Sequence, residues 1–213
     1  MNPADYESWY HTPRGHWVGE TEYALAARLL KSRPGETLLD VGCGTGWFSR
    51  RAAADGLRVT GLDANADWLD YARAHSGPAL NWVEGDARAL PFADASFDHV
   101  LSIAALCFVD DARQAVAEAV RVARRNFAIG WLNRSSLLYL DKGRGGGSGA
   151  YRGARWHSAA EVRASCAGLP VRSLKLRSAI FLPSATRWAR WLEQAVPAAL
   201  PWGGMLMLHG EKV

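Results

Sequence analysis

A short apolar run that breaks into three alternating glycines constrains this chain more than any other stretch. Residues Leu38 to Val41 are compact and apolar, which predicts a buried parallel strand. Gly42, Gly44 and Gly46 come next, and glycine allows sharp turns and close approach of a ligand to the main chain. Trp47 to Ala54 then predicts a helix whose free amides point back at the turn. Together they predict a nucleotide-type binding corner in an α/β fold.

The glycine spacing separates two kinds of nucleotide site. A dinucleotide fingerprint, G-x-G-x-x-G, would need its third glycine where Trp47 stands. The pattern that starts at Asp40 and continues through the three glycines instead resembles the first motif of the class I S-adenosylmethionine (SAM)-dependent methyltransferases. In that family the acid and the glycine backbone hold the amino-acid end of SAM. The resemblance implies that the amino-acid end of SAM contacts Asp40, Gly42, Cys43, Gly44 and Gly46. The alternative interpretations of the glycine pattern are a dehydrogenase site and a purely structural turn.

An acid at the end of the next predicted strand fits a nucleoside. Leu57 to Asp63 alternates and ends in a carboxylate, about twenty residues beyond the glycine turn, where an acid can accept hydrogen bonds from ribose hydroxyls. We therefore expect Asp63, with Ala64 beside it, to bind the cofactor. The alternative is that Asp63 caps the helix predicted from Asp67 to His75, which Asn65 could do instead.

A second motif follows the third predicted strand, Ala79 to Glu84. The octet from Gly85 to Phe92 reads G-D-A-R-A-L-P-F and resembles the family's G-D-A-x-x-L-P-F. The resemblance implies that Asp86 receives the exocyclic amine of adenine and that the amide of Ala87 meets a ring nitrogen. Ser102, in the predicted fourth strand, is assigned to the same cofactor site. The alternative for Asp86 is a solvated acid in a turn.

The chain departs from its relatives after the fourth strand. Methyltransferases of the ubiquinone and menaquinone biosynthesis type (type 11) carry an A-L-H-H-V-x-D-like turn there. This chain has Cys107 and Phe108 at the histidine positions, so the relatives' substrate should not be transferred to it. Cys107 is interpreted as a buried small hydrophobe rather than a nucleophile.

No residue is singled out as the catalytic base. Methyl transfer from a sulfonium is an in-line displacement, so holding the reactants in line supplies much of the rate. If the acceptor does need proton removal, the candidates are Tyr10, His11, Tyr139 and His157. The product of the cofactor would be S-adenosylhomocysteine (SAH).

Two segments are candidates for the acceptor side. Tyr6 to Gly15 is aromatic and without a regular pattern, which suits either a lid over the cofactor or a segment packed on the domain. The glycine-rich loop 140–157 is expected to be a flexible linker and a gate.

Charge and cysteine content limit the function classes. The formal net charge is +4. The stretch from Asp141 to Arg190 contains ten Lys and Arg residues but only two acidic residues. Solvated arginines are the preferred interpretation, and an RNA or protein methyltransferase is the alternative. The three cysteines lack CxxC spacing, so we expect free thiols, no disulfide and no metal site. No signal peptide or membrane span is predicted, which makes the cytoplasm the default location.

The order of elements predicts one domain over 1–213, with 1–34 as an N-terminal helical or lid segment. We expect a three-layer, doubly wound α/β sheet of seven strands, mostly parallel with an antiparallel last strand, Met205 to Gly210. Thr186 to Ala195 is predicted as a helix with Trp188, Trp191 and Leu192 facing inward. The predicted function is transfer of a methyl group from SAM to a small molecule, with a non-catalytic SAM-binding protein as a further alternative.

Overall fold

The computed structural model describes residues 2–213. Its helices are α1 (Pro3–Tyr10), α2 (Pro13–Leu30), α3 (Trp47–Ala54), α4 (Ala66–Ala74), α5 (Ala112–Val122), α6 (Ala159–Ala164) and α7 (Arg187–Ala195). Its strands are β1 (Thr37–Val41), β2 (Arg58–Asp63), β3 (Asn81–Glu84), β4 (Phe97–Ile103), β5 (Ala123–Leu132), β6 (Val171–Ala179) and β7 (Met205–Lys212).

The seven strands form one sheet in the order β3-β2-β1-β4-β5-β7-β6. Neighbours from β3 through β5 pair in parallel, and β7 is antiparallel to both β5 and β6. The predicted fold class is therefore confirmed, including the antiparallel last strand. The strand order changes direction between β1 and β4, the type of switch point at which open α/β sheets bind ligands.

Apolar side chains fill the space on both sides of the sheet. On one side, Val116 and Val120 of α5 pack with Phe127 of β5. On the other, Leu25 of α2 packs with Leu38 of β1 in a second cluster. Burial of this kind on both faces explains why the central strands are nearly continuous apolar runs.

The N-terminal segment is helical, so the prediction of an irregular Tyr6 to Gly15 is wrong. The Asn2 side chain accepts a hydrogen bond from the Asp5 amide at 2.7 Å and starts α1. Thr12 accepts one from the Gly15 amide at 3.0 Å and starts α2. Both helices carry proline at the first position, which suits a helix start because proline has no amide hydrogen to leave unsatisfied.

The prediction that Trp188 and Trp191 of α7 face inward is wrong. Trp188 is 76% exposed and Trp191 is 60% exposed, whereas Ala189 is fully buried. The Glu193 carboxylate accepts hydrogen bonds from the amides of Ile180 and Phe181, both at 2.9 Å. These bonds turn the small and polar side of α7 toward the sheet and leave the two indoles in solvent.

The join between α5 and β5 contains no turn. β5 begins at Ala123, directly after α5 ends at Val122, so Arg124 to Asn126 lie within the strand. The alanine backbone is already extended, with φ −68° and ψ 136°. A single change of ψ at the helix end is enough to redirect the chain into the sheet.

The three cysteines, Cys43, Cys107 and Cys166, are buried free thiols, as predicted. Within residues 2–213 no helix combines the length and apolarity needed to cross a membrane.

Candidate functional site

The glycine turn joins β1 to α3 at the switch point of the sheet. Gly42, Gly44 and Gly46 have φ values of 72°, 55° and 81°, a left-handed region that other residues rarely adopt. A Cβ atom at Gly42 would lie 2.3 Å from the Cβ of Ala105, and one at Gly46 would lie 2.5 Å from the Trp82 ring. The turn therefore requires glycine for both conformation and space.

Asp63 fixes this turn from the end of β2. Its Oδ2 accepts a hydrogen bond from the Gly44 amide at 2.8 Å, and its Oδ1 accepts one from the Asn65 amide at 3.0 Å. Burial raises the pKa of this carboxyl, and these backbone hydrogen bonds oppose the shift. A carboxylate has about four lone-pair sites, so two amides leave acceptor capacity for ligand hydroxyls. Asp63 does not cap α4, which was the alternative role for this residue. Asn65 caps the helix instead, because its side chain accepts a hydrogen bond from the Asp67 amide at 3.0 Å.

Asp40 lies beneath the turn rather than on its surface. The side chain is buried and accepts a hydrogen bond from the Ser49 hydroxyl of α3 at 2.6 Å. Burial raises the pKa of Asp40 to about 7, with a further contribution from the charge of Asp63. Asp40 thus ties β1 to α3, and direct contact with a cofactor stays a prediction.

Asp86 and Ala87 follow β3 at the same edge of the sheet. Asp86 is half-exposed, and its Oδ2 accepts a hydrogen bond from Arg88 Nη2 at 2.6 Å. Hydrogen bonds from the Arg88 side chain and amide lower the pKa of Asp86 to about 2. Asp86 is therefore an ionised acceptor at neutral pH, which is the state needed to receive an amine.

The remaining predicted cofactor residues differ in accessibility. Cys43 is buried, and its amide donates to the Leu62 carbonyl at 3.0 Å. Ala64 is exposed beside Asp63. Ser102 is fully buried in β4, and its hydroxyl has no hydrogen-bond partner among the described residues. For Cys43, Ala64 and Ser102, contact with a cofactor stays a prediction.

Helix α1 packs over the glycine turn. The Tyr10 ring stacks on Trp47 with centroids 4.7 Å apart, and the Tyr6 ring meets Trp68 edge-on at 5.0 Å. Glu7 is buried and forms a salt bridge with Arg50. Arg50 in turn donates to the Thr45 carbonyl inside the turn at 2.7 Å. This arrangement suits both a packed segment and a lid, so the lid function stays a prediction.

The four candidates for a catalytic base do not share one location. Tyr10 is buried, and its hydroxyl lies 3.2 Å from that of Tyr6. His11 is exposed at the end of α1. Tyr139 packs against Trp156, and His157 packs against Trp131 at the end of β5. Burial raises the pKa of Tyr10 well above its usual value, so Tyr10 is an uncharged hydroxyl at neutral pH rather than a base.

Glu22 is a residue that the sequence-based prediction missed. It lies on α2, where Val18, Leu25 and Ala26 are buried, and its charge acts on the hydroxyls of Tyr6 and Tyr10. Burial raises the pKa of Glu22 to about 8. A signal was available in the sequence, since a glutamate four residues after Val18 interrupts the apolar side of this helix.

Comparison with known proteins shows which enzymes part of this chain resembles. Residues 39–128 match the family model described as a methyltransferase domain, and this span holds every predicted cofactor residue. Groups of three or more metal-ligating side chains are absent from the described residues of the chain.

The chain is similar to curated methyltransferases whose names give different acceptors. The malonyl-[acyl-carrier protein] O-methyltransferase of Erwinia pyrifoliae is 44% identical over 108 residues, which are 49% of this chain and 41% of that protein. The demethylmenaquinone methyltransferase of Renibacterium salmoninarum is 41% identical over 100 residues, which are 47% of this chain and 42% of that protein. The chain thus spans less than half the length of the curated relatives it matches.

A solved structure extends the likeness in fold beyond residues 39–128. A SAM-dependent methyltransferase of Thermotoga maritima, described as a possible histamine N-methyltransferase, superposes with a TM-score of 0.76. The match covers 99% of this chain and 96% of that chain at 23% identity. The elements that follow residue 128 therefore belong to the same fold, including the strand pair β6 and β7.

Proposed function

We propose that this chain is a SAM-dependent methyltransferase that transfers a methyl group to a small-molecule acceptor. The observation that carries the proposal is the coupling of Asp63 to the glycine turn. Asp63 is held by the Gly44 amide at 2.8 Å, at the edge of the sheet where doubly wound folds bind nucleosides. A carboxylate so placed has lone pairs left for the two ribose hydroxyls.

The residues present fit the adenosyl and amino-acid parts of SAM. Gly42, Gly44 and Gly46 have positive φ values and form the turn over which the amino-acid end would lie. Asp63 would accept from the ribose, and the ionised Asp86 would accept from the adenine amine. When bound, SAM supplies an electrophilic methyl group on a sulfonium.

The chain's own contribution to the reaction is binding and alignment. In-line displacement at a methyl carbon is accelerated chiefly by holding the two reactants in the correct geometry. The rigid turn between β1 and α3 fixes the cofactor side, and α1 with its aromatic contacts to Trp47 and Trp68 covers that side. The small-molecule acceptor and the cytoplasmic location are proposals that rest on the sequence.

Calorimetric titration with SAM tests the proposal through Asp63. We expect Asp63→Ala and Asp63→Asn to weaken SAM binding at least about tenfold, because a hydrogen bond to a charged group contributes about 1.5–3 kcal/mol. Asp70→Ala is the matched control, since Asp70 is an exposed acid paired with Arg73 on α4. Wild-type protein that fails to bind SAM would refute the proposal.

The glycine turn is tested in the same titration. Gly44→Val places a branched side chain at φ 55°, with its Cβ 3.3 Å from the Trp68 ring, and should abolish SAM binding. Gly35→Ala is the control, because Gly35 also has a positive φ but a Cβ there meets no atom within 4 Å. Turnover of SAM to SAH with any acceptor would separate an enzyme from a non-catalytic SAM-binding protein.

A further inference from the structure

Exposed apolar side chains are concentrated around helix α7. Within residues 2–213 eight large apolar side chains are exposed, and five of them lie on α7 or line the groove beside it, namely Leu137, Leu140, Trp188, Trp191 and Trp202. The indoles of Trp188 and Trp191 meet edge-on with their centroids 6.2 Å apart, and both are mostly in solvent. Large exposed apolar patches mark sites of interaction with a protein or a membrane.

A groove of about 580 Å³ beside α7 continues the exposed apolar surface. It is lined by Leu192 and Ala195 of α7, by Leu137 and Leu140 after β5, and by Trp202 before β7. Ala195 lies four residues after Trp191, which places the two side chains on one face of the helix. The groove residues named here therefore form a single surface with Trp188 and Trp191, which we call the α7 surface.

The opposite side of α7 is fixed to the rest of the fold. Ala189 is fully buried, and the Glu193 carboxylate accepts hydrogen bonds from the amides of Ile180 and Phe181, both at 2.9 Å. Ala189 and Glu193 are four residues apart, so they share one face of the helix. Rotating the helix to bury Trp188 would break both hydrogen bonds. The outward position of the indoles is therefore part of the native fold.

The exposed charges on α7 are positive. Arg187 and Arg190 are exposed beside the two indoles, and neither forms a salt bridge within residues 2–213. Arg190 donates to the Ala185 carbonyl at 3.3 Å, which leaves its charge uncompensated. The one acid of the helix, Glu193, is engaged by the two amides.

Two acids near the groove are matched by cations. Arg134 lines the groove and pairs with Glu161 at 3.0 Å, and Asp141 pairs with Lys142 at 3.5 Å. The two arginines of α7 therefore give this side of the molecule an excess of positive charge.

An anionic lipid bilayer matches this combination of apolar and basic groups. Indole rings favour the boundary between lipid headgroups and acyl chains, and guanidinium groups bind phosphates. Helices that carry basic side chains beside tryptophan and leucine lie in this boundary. The cytoplasmic leaflet of a membrane supplies the negatively charged lipids.

Two other occupants fit the α7 surface less well. Single-stranded nucleic acid binds basic grooves by stacking its bases on aromatic rings, but Leu137, Leu140 and Leu192 offer no ring for stacking. A second copy of the chain in a two-fold contact would bring Arg187 and Arg190 toward their own counterparts, where like charges repel.

We propose that the α7 surface docks this chain onto the surface of an anionic phospholipid bilayer. Trp188 and Trp191 insert at the level of the headgroups, and Arg187 and Arg190 bind lipid phosphates. Docking of this kind needs no membrane-spanning helix. Arg134 in the groove closely follows the end of β5, and β5, β4 and β1 are parallel, so the docked face adjoins the sheet edge that carries the glycine turn. The inference goes beyond the proposed methyltransferase function and does not depend on it.

Co-sedimentation of the full chain with lipid vesicles tests the inference. The probes are vesicles of phosphatidylcholine alone and of an equimolar mixture with phosphatidylglycerol. We expect wild-type protein to bind the mixed vesicles at least about tenfold more tightly, because each cation near an anionic surface strengthens binding. Added salt should reduce this preference, since it screens exposed charges.

Two double variants separate the apolar and the charged contributions. Trp188→Ser with Trp191→Ser removes the indoles, and Arg187→Gln with Arg190→Gln removes the two charges. Each double variant should weaken binding to the mixed vesicles at least about tenfold. All four side chains are exposed, so both variants should unfold at the wild-type temperature.

The controls make the same kinds of change away from the α7 surface. Leu174→Ser removes an exposed apolar side chain from β6. Arg33→Gln with Arg58→Gln removes two exposed charges near the starts of β1 and β2, at the opposite edge of the sheet. Both controls should bind the mixed vesicles as wild type does.

Failure of wild-type protein to bind the mixed vesicles, or undiminished binding by either double variant, would overturn the inference. An equal loss in the Arg33 and Arg58 control would show an effect of net charge alone and would also overturn it. Binding of poly(U), or self-association in sedimentation equilibrium, that the double variants abolish while vesicles are not bound would assign the surface to nucleic acid or to a second copy instead.

Discussion

At the scale of single residues, the most informative side chains are carboxylates held in unusual states. Asp40 and Glu22 have pKa values raised to about 7 and about 8, whereas the pKa of Asp86 is lowered to about 2 by Arg88. Burial without a counterion causes the first two shifts, and an exposed ion pair causes the third. Residue type and spacing predict that Asp40 lies near the end of β1 and that Asp86 follows β3. Burial and pairing in the fold decide whether each side chain is charged.

The Glu22 carboxyl predicts a pH dependence of stability. A carboxyl whose pKa is higher in the folded state binds its proton more tightly there, so its contribution to stability is complete below its unfolded pKa of about 4.5 and is lost as the pH rises through about 8. Glu22→Gln should therefore lose less stability than wild type between pH 5 and pH 8.5. We expect a difference of about 1 kcal/mol or more, measured by urea unfolding at both pH values.

Asp40, Asp63 and Glu193 also have raised pKa values, but all three are present in both proteins, so the comparison isolates the effect of Glu22. Glu20→Gln serves as the control, because its side chain pairs with Arg51. Equal pH dependence in wild type and Glu22→Gln would show that Glu22 is not desolvated.

Gly42 predicts a stability effect at a single position of the turn. Its φ is 72°, and a Cβ atom at this position would lie 2.3 Å from Ala105, so Gly42→Ala adds both backbone strain and overpacking. We expect a loss of about 2–4 kcal/mol in the free energy of unfolding. Gly35→Ala has the backbone strain alone and should lose about 1 kcal/mol. Equal losses in urea unfolding would contradict the crowding at Gly42.

At the scale of elements, the sequence predicts the strands and helices that carry the proposed cofactor residues better than it predicts α1 and the orientation of α7. The glycine turn between β1 and α3 is specified locally, because only glycine fits its backbone. The inward face of α7 is set by Glu193, which bonds amides of Ile180 and Phe181, and no pattern within the helix shows this. The charge of Glu22 raises the pKa of Tyr151 only in the fold, since the two residues are far apart in the chain.

Helix α1 gives a prediction for the lid hypothesis. It is held over the turn by Tyr6, Tyr10 and the salt bridge from Glu7 to Arg50. If α1 closes on the cofactor, SAH should slow amide hydrogen exchange in Pro3–Tyr10 by at least about tenfold, because closure adds contacts that must break before exchange. Helix α5, which packs on the sheet away from α1, is the internal control. Unchanged exchange in α1 with SAH bound would favour a permanently packed segment.

At the scale of the whole molecule, the basic second half does not form one compact feature. Its arginines are distributed over the segment before α6 and over α6, β6 and α7. Arg155 pairs with Asp110, and Arg172 pairs with Glu211. This distribution supports the interpretation as solvated arginines. The exposed indoles of Trp188 and Trp191 lie in the same half and are unexplained by the proposed function.

The proposed methyltransferase function requires one location for SAM, at the carboxyl edge where β1 and β2 end. A crystal structure of the chain with SAH tests this most directly. We predict that the Asp63 carboxylate lies within hydrogen-bonding distance of both ribose hydroxyls, with the amino-acid end over Gly42 to Gly46 and the adenine beside Asp86 and Ala87. SAH bound elsewhere, or a ribose that makes no contact with Asp63, would contradict this location.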